Sequence, residues 1–119
     1  MINKIEINGV HVKLDSQTQD YAIEKIGKID KYLPLSARTS AHGEIKLIKE
    51  KIKTREIFTC EVVLFLPHSV VTSKESAPSF IVAIDLVEGK LKNQLKKYKG
   101  RHSRDRLHHR VLSKILRNR

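Results

Sequence analysis

The chain has 119 residues, 39% of them hydrophobic and 31% charged, and carries a net charge of +11. That is the composition of one globular domain, long enough to bury roughly two-thirds of its unfolded surface. The lone cysteine, Cys60, excludes an internal disulfide and a multi-cysteine zinc site. No stretch approaches the ~20 apolar residues of a membrane span, and the N-terminus lacks an apolar run of signal-peptide length, so a cytoplasmic protein without a membrane partner is expected.

Residues 2–10 set Ile5 and Ile7 on one side of an alternating pattern that ends at Asn8-Gly9, the signature of a strand. Ser16 with Gln19 then fits a capping box, in which hydroxyl and amide satisfy unpaired backbone N–H groups. Ala22, Ile26, Ile29 and Leu33 follow at helical spacing, and Pro34 ends that helix. Three strands come next. Ala41, Ile45 and Leu47 alternate with His42, Glu44 and Lys46, and the charged residues 50–55 read as a connection. Residues 58–66 are mostly apolar, which predicts a central strand buried on both faces. Pro67-His68 makes a turn, and residues 69–74 are β-branched enough for a further strand. Three consecutive strands on short connections predict an antiparallel meander.

Pro78 opens a second long helix. Its apolar residues, Phe80, Ile84, Val87, Leu91, Leu95 and Tyr98, fall on one stripe, with Gly89 off that stripe and Gly100 as the expected C-terminal cap. The expected fold is α+β, in the order β-α-β-β-β-α: a four-stranded sheet with two helices packed on one face. Residues 1–100 form the domain, and residues 101–119 form a basic tail, disordered or helical.

Residues 1–78 hold 12 basic and 10 acidic side chains, whereas residues 79–119 hold 12 and 3. This asymmetry points to a polyanionic partner, nucleic acid rather than an anionic membrane. On the second helix Lys90, Lys92, Lys96, Lys97 and Lys99 lie off the apolar stripe, and Arg101 and Arg104 continue the run. The first helix contributes Lys25, Lys28 and Lys31, with Tyr21 and Tyr32 close to Lys25 and Lys28 on the helical wheel. Were the two helices side by side, these lysines would form one basic surface able to follow several phosphates. Lysine binds as a point charge and grips backbone without reading sequence.

The other side chains offer little chemistry. The pair His108-His109 cannot share a helix face, and His11, His42, His68 and His102 are scattered, so no metal site is expected. Glu44, Glu56 and Glu61 form no acid–base dyad, and no phosphate-binding glycine loop or nucleophile elbow occurs. Cys60 lies in the most apolar strand and reads as a core residue. A non-enzymatic protein is expected, with no cofactor and no small-molecule substrate.

The run Val62-Val63-Leu64-Phe65-Leu66-Pro67, then Ala83-Ile84-Asp85, then Lys90-Leu91-Lys92-Asn93-Gln94-Leu95-Lys96-Lys97-Tyr98-Lys99 resembles the ribosome hibernation-promoting factor and ribosome-associated inhibitor family, as does Lys28-Ile29-Asp30-Lys31. The resemblance covers residues 1–100 and is to the short form, without the additional C-terminal domain that joins two ribosomes. It implies a fold related to double-stranded RNA-binding domains. It further implies binding to the small ribosomal subunit and its rRNA in the decoding region, where mRNA and tRNA would sit, by a protein monomeric when free. Lys28, Lys31, Lys90, Lys96, Lys97 and Lys99 would then face rRNA. The sequence departs from the family pattern at Ser79-Phe80-Ile81, at His68 where glycine is common, and at Asn93 where arginine is frequent. The residues alone leave three other readings open: a generic RNA-binding module or chaperone without ribosomal targeting, a regulatory protein docking through its tail, and a small nuclease.

Overall fold

The computed structural model describes the backbone of residues 1–2 and 4–117, and the side chains of those up to Tyr98. The elements are β1 (Lys4–Val10), α1 (Ser16–Gly27), a 3-10 turn (Lys28–Tyr32), α2 (Leu35–Arg38), β2 (His42–Ile52), β3 (Arg55–Leu66), β4 (Ser69–Ala77) and α3 (Phe80–Arg117). The sheet order is β1-β2-β3-β4. β1 runs parallel to β2, as a strand–helix–strand crossover requires, and β2, β3 and β4 form the expected antiparallel meander.

One face of the sheet carries the core. Ile45 and Leu47 of β2, Cys60, Val62 and Leu64 of β3, and Val71 of β4 pack against Ala22 and Ile26 of α1, Ile29 of the 3-10 turn, Leu33, and Ala83, Ile84, Val87, Leu91 and Leu95 of α3. Fully burying each large aliphatic side chain contributes about 1.5–3 kcal/mol, so this interface dominates the stability. Two hydrogen bonds tie α3 to the meander: Gln94 Nε2 donates to the Thr72 carbonyl at 3.1 Å, and the Tyr98 hydroxyl donates to the Pro67 carbonyl at 3.2 Å.

Several local expectations are corrected. Asp15, one residue ahead of the expected cap, accepts from the Thr18 amide at 3.1 Å and caps α1. The first helix is not continuous to Pro34: α1 ends at Gly27, whose carbonyl accepts from the Ile2 amide at 2.9 Å, and the chain tightens into the 3-10 turn. Residues 50–55 are not a loop, because β2 and β3 run to Ile52 and from Arg55 as a tight hairpin. β3 is buried along one face, and on the other only Thr59 is buried. Its other face sets half-buried Val63 and Phe65 beside exposed Val70, with His42 stacked on Phe65 at 4.6 Å. α3 begins at Phe80 under the hydroxyl of Ser79, which accepts from the Val82 amide at 3.3 Å, and it runs through Gly100 rather than stopping there.

His68 closes the β3–β4 hairpin at φ 61°, with Pro67 before it. A side chain in this left-handed region is strained, and glycine relieves it. His68→Gly is therefore expected to raise stability by up to about 1 kcal/mol, read as a higher urea midpoint at unchanged slope. A Cβ built on Gly89 meets nothing within 4 Å. Gly89→Ala should add about 0.5–1 kcal/mol through helix propensity alone, measured the same way.

Candidate nucleic-acid interface

α1 with its 3-10 turn and α3 lie side by side on the sheet, and their facing flanks form the seam where the lysines meet. At one end the seam is acidic as well as basic. The Tyr21 hydroxyl donates to Asp85 Oδ1 at 2.5 Å, and Lys25 Nζ lies 3.7 Å from Asp85 and 4.0 Å from Glu88. Lys28 pairs with Glu24 one turn back at 2.8 Å. The hydrogen bond to Asp85, followed by partial burial and the charges of Asp85 and Glu88, pushes the Tyr21 phenol up to about 12.

Among the described residues the other end is purely cationic. Lys31 of the 3-10 turn and Lys92 and Lys96 of α3 set their ammonium groups 5.2, 5.4 and 5.7 Å from the centroid of the Tyr32 ring. Partial burial pushes the Tyr32 hydroxyl up, but hydrogen bonding to Lys92 and the charges of Lys31 and Lys92 outweigh it, so the phenol sits below its ordinary value. Arg38 of α2 holds this segment in shape. Its guanidinium donates to the carbonyls of Asp30 at 3.1 Å, Leu33 at 3.2 Å and Lys31 at 3.3 Å. Between the two ends opens a cavity of about 250 Å³ whose lining includes Tyr21, Lys25, Lys28, Lys31, Tyr32 and Glu88.

Of the sequence-predicted residues, Lys31, Lys92 and Lys96 come together; Lys25 and Lys28 line the same seam but are ion-paired. Lys90 lies on the opposite flank of α3, paired with Glu75 of β4. The expected single continuous basic surface is thus interrupted by Asp85 and Glu88 and loses Lys90. Lys97 is exposed on α3. The side chains of Lys99, Arg101 and Arg104 lie outside the described residues. Tyr32 stands with Lys31, Lys92 and Lys96 and shares the lining of the cavity with Lys28. Sequence reasoning missed Arg38, whose partners are backbone carbonyls, and the carboxylates Asp85, Glu88 and Glu75, which come from other elements than the lysines they hold. Among the described residues no group of three or more His, Cys, Asp or Glu is placed to hold a metal ion. No helix of the described residues is long and apolar enough to cross a membrane. Cys60 is buried in the core, where desolvation, and secondarily Glu61, pushes its thiol up to about 12.

Residues 5–103 match the family model described as sigma 54 modulation protein / S30EA ribosomal protein. The chain belongs to this family. It is 32% identical over 103 residues to the ribosome hibernation promotion factor of Lactococcus lactis, covering 85% of this chain and 52% of that protein. It is 30% identical over 106 residues to the ribosome hibernation promotion factor of Staphylococcus aureus, covering 87% and 53%. The chain thus spans about half the length of these two relatives. The fold matches the crystal structure of the Thermus thermophilus Protein Y N-terminal domain with a TM-score of 0.63 at 22% identity, over 82% of this chain and 97% of that one. It also matches a ribosomal subunit interface protein from Coxiella burnetii with a TM-score of 0.62 at 22% identity, over 82% and 98%.

The Tyr21–Asp85 bond gives this family member a spectroscopic handle. A phenol whose folded pKa is about 12 holds its proton where an unfolded tyrosine, near ~10, has lost it. The stability it contributes is complete below the unfolded value and declines as pH rises towards the folded one. Ultraviolet titration of the native protein should show one tyrosine ionising near 12, and Asp85→Asn should bring that ionisation down.

Proposed function

We propose that this chain is a ribosome hibernation factor. It binds the small ribosomal subunit in the decoding region, through the basic flanks of α1, the 3-10 turn and α3, and keeps idle ribosomes from translating in stationary phase or under stress. The observation that carries the reading is family membership joined to a seam in which, among the described residues, lysines from two packed helices converge without a carboxylate among them at its Tyr32 end. Positive side chains on rigid helices replace counterions along rRNA phosphates, and each phosphate neutralised steepens the dependence of log affinity on log salt by about 0.7–0.9. Occupying the mRNA and tRNA path blocks initiation sterically. No bond is made or broken, no cofactor is required, and the free protein acts in the cytoplasm as a monomer.

Reversing charge at Lys31, Lys96 and Lys97 together, each to Glu, should abolish co-sedimentation with small ribosomal subunits while the circular dichroism spectrum stays unchanged. Undiminished co-sedimentation of the folded variant would refute the assignment of this surface. Competition among small subunits, tRNA and duplex RNA separates ribosomal targeting from generic RNA binding. A strong preference for small subunits is the expected result, and equal affinities would favour the generic module.

A further inference from the structure

The lysines of α1, the 3-10 turn and α3 fall into two electrostatic classes. Lys25, Lys28 and Lys90 each have a carboxylate partner, in Asp85 and Glu88, in Glu24, and in Glu75 respectively. Lys31, Lys92 and Lys96 have none among the described residues, and the nearby carboxylate of Asp30 is turned instead to the Met1 ammonium at 2.6 Å. Three like charges nevertheless sit around a single ring, at 5.2, 5.4 and 5.7 Å from its centroid. The face of one tyrosine is a weak, shared attractor, so it does not offset the mutual repulsion of three ammonium groups. The cluster is held together by the fold. Lys92 and Lys96 are one turn apart on α3, whose apolar stripe is fully buried, and Arg38 pins the backbone that carries Lys31 and Tyr32. A preorganised group of hydrogen-bond donors with surplus positive charge is complementary to a tetrahedral oxyanion, whose oxygens accept from several ammonium groups at once.

We infer that Lys31, Lys92 and Lys96, gathered around Tyr32, form a discrete phosphate subsite that takes one phosphodiester of the bound RNA, and that the ion-paired Lys25, Lys28 and Lys90 are secondary to it. This rests on the ribosome-binding reading above for the source of the phosphate, but not for the existence of the subsite. Tyr32 marks the centre of the subsite: the fold sets the ammonium groups around its ring in the free protein, and the phosphate takes them on binding. The cluster is also a built-in instability of the free protein, since an unneutralised charge triad opposes the packing that creates it.

The test uses two double variants that keep the aliphatic stems, Lys92→Met with Lys96→Met and Lys25→Met with Lys28→Met. At low salt the first should raise the Tm of the free protein by about 2–4 °C, and the second should not, because it removes ion pairs. Inorganic phosphate, against chloride at equal ionic strength, should raise the Tm of the wild type saturably and that of the Lys92/Lys96 variant not at all. In co-sedimentation with small subunits, the Lys92/Lys96 variant should lose about tenfold or more in affinity and about 0.7–0.9 from its salt slope, with a smaller loss for the Lys25/Lys28 variant. A phosphate response that survives in the Lys92/Lys96 variant overturns the subsite. So does a Lys25/Lys28 variant that loses the more affinity. If the wild type ignores ribosomal particles yet shows the saturable phosphate response that Lys92/Lys96 substitution abolishes, the ribosomal reading fails and the subsite stands, with free phosphate-bearing molecules as its ligand source.

Discussion

The structure depends on the burial of one apolar stripe. Ala83, Ile84, Val87, Leu91 and Leu95 of α3 are fully buried against β3, β4 and the neighbouring α1. Because the stripe occupies one side of the helix, it dictates where every polar residue of α3 points. Lys92 and Lys96 must face the 3-10 turn, Lys90 must face β4, and Lys97 must face solvent. The basic seam is thus a by-product of core packing, and the rigidity of the core is passed on to the charges. A side chain on a mobile loop would lose far more entropy on gripping a phosphate.

Much of this was legible in the sequence, and the parts that were not share a cause. The stripe from Phe80 to Tyr98 is a purely local signal, repeated over five turns, and it correctly placed both the helix and its buried face. The meander was legible because Ile45 and Leu47, and then Pro67-His68, mark alternation and turn over short distances. The break in the first helix was hidden, since the Gly27 carbonyl is taken by Ile2, 25 residues away in sequence. Apolar composition alone misled on β3. Val63 and Phe65 are apolar because cross-strand neighbours half-cover them, with His42 stacked on Phe65, and no second layer lies over that face. The hairpin at Lys53 was hidden for the opposite reason: outward-facing charges on Glu50, Lys51 and Glu56 resemble a loop when the partner strand is unseen.

The candidate interface shows the same division. Which lysines lie off the apolar stripe follows from helical geometry. Which of them remain unpaired does not, because the deciding carboxylates come from other elements, as with Asp85 and Glu88 for Lys25 and Glu75 for Lys90. Net charge therefore does not say which lysines remain free for a polyanion. A lysine already neutralised by a neighbouring carboxylate adds little to the attraction of a polyanion, whereas an unpaired one brings its full charge and releases counterions on binding.

This pairing gives the basic region an edge. A helix carrying evenly spaced, unpaired lysines would attract any polyanion along its whole length and would set no register. Here Asp85 and Glu88 quench the seam on one side of Tyr32, and positive charge is concentrated where Lys31 meets Lys92 and Lys96. Phosphate contacts carry no base identity, but they fix position and orientation when their spacing is fixed. A bounded, rigid cluster flanked by acidic side chains accepts a phosphate backbone that approaches along one path and repels one that runs across the acids. If the protein acts by obstruction, as proposed, a cluster that holds a phosphate backbone in one position is sufficient, because no base need be read.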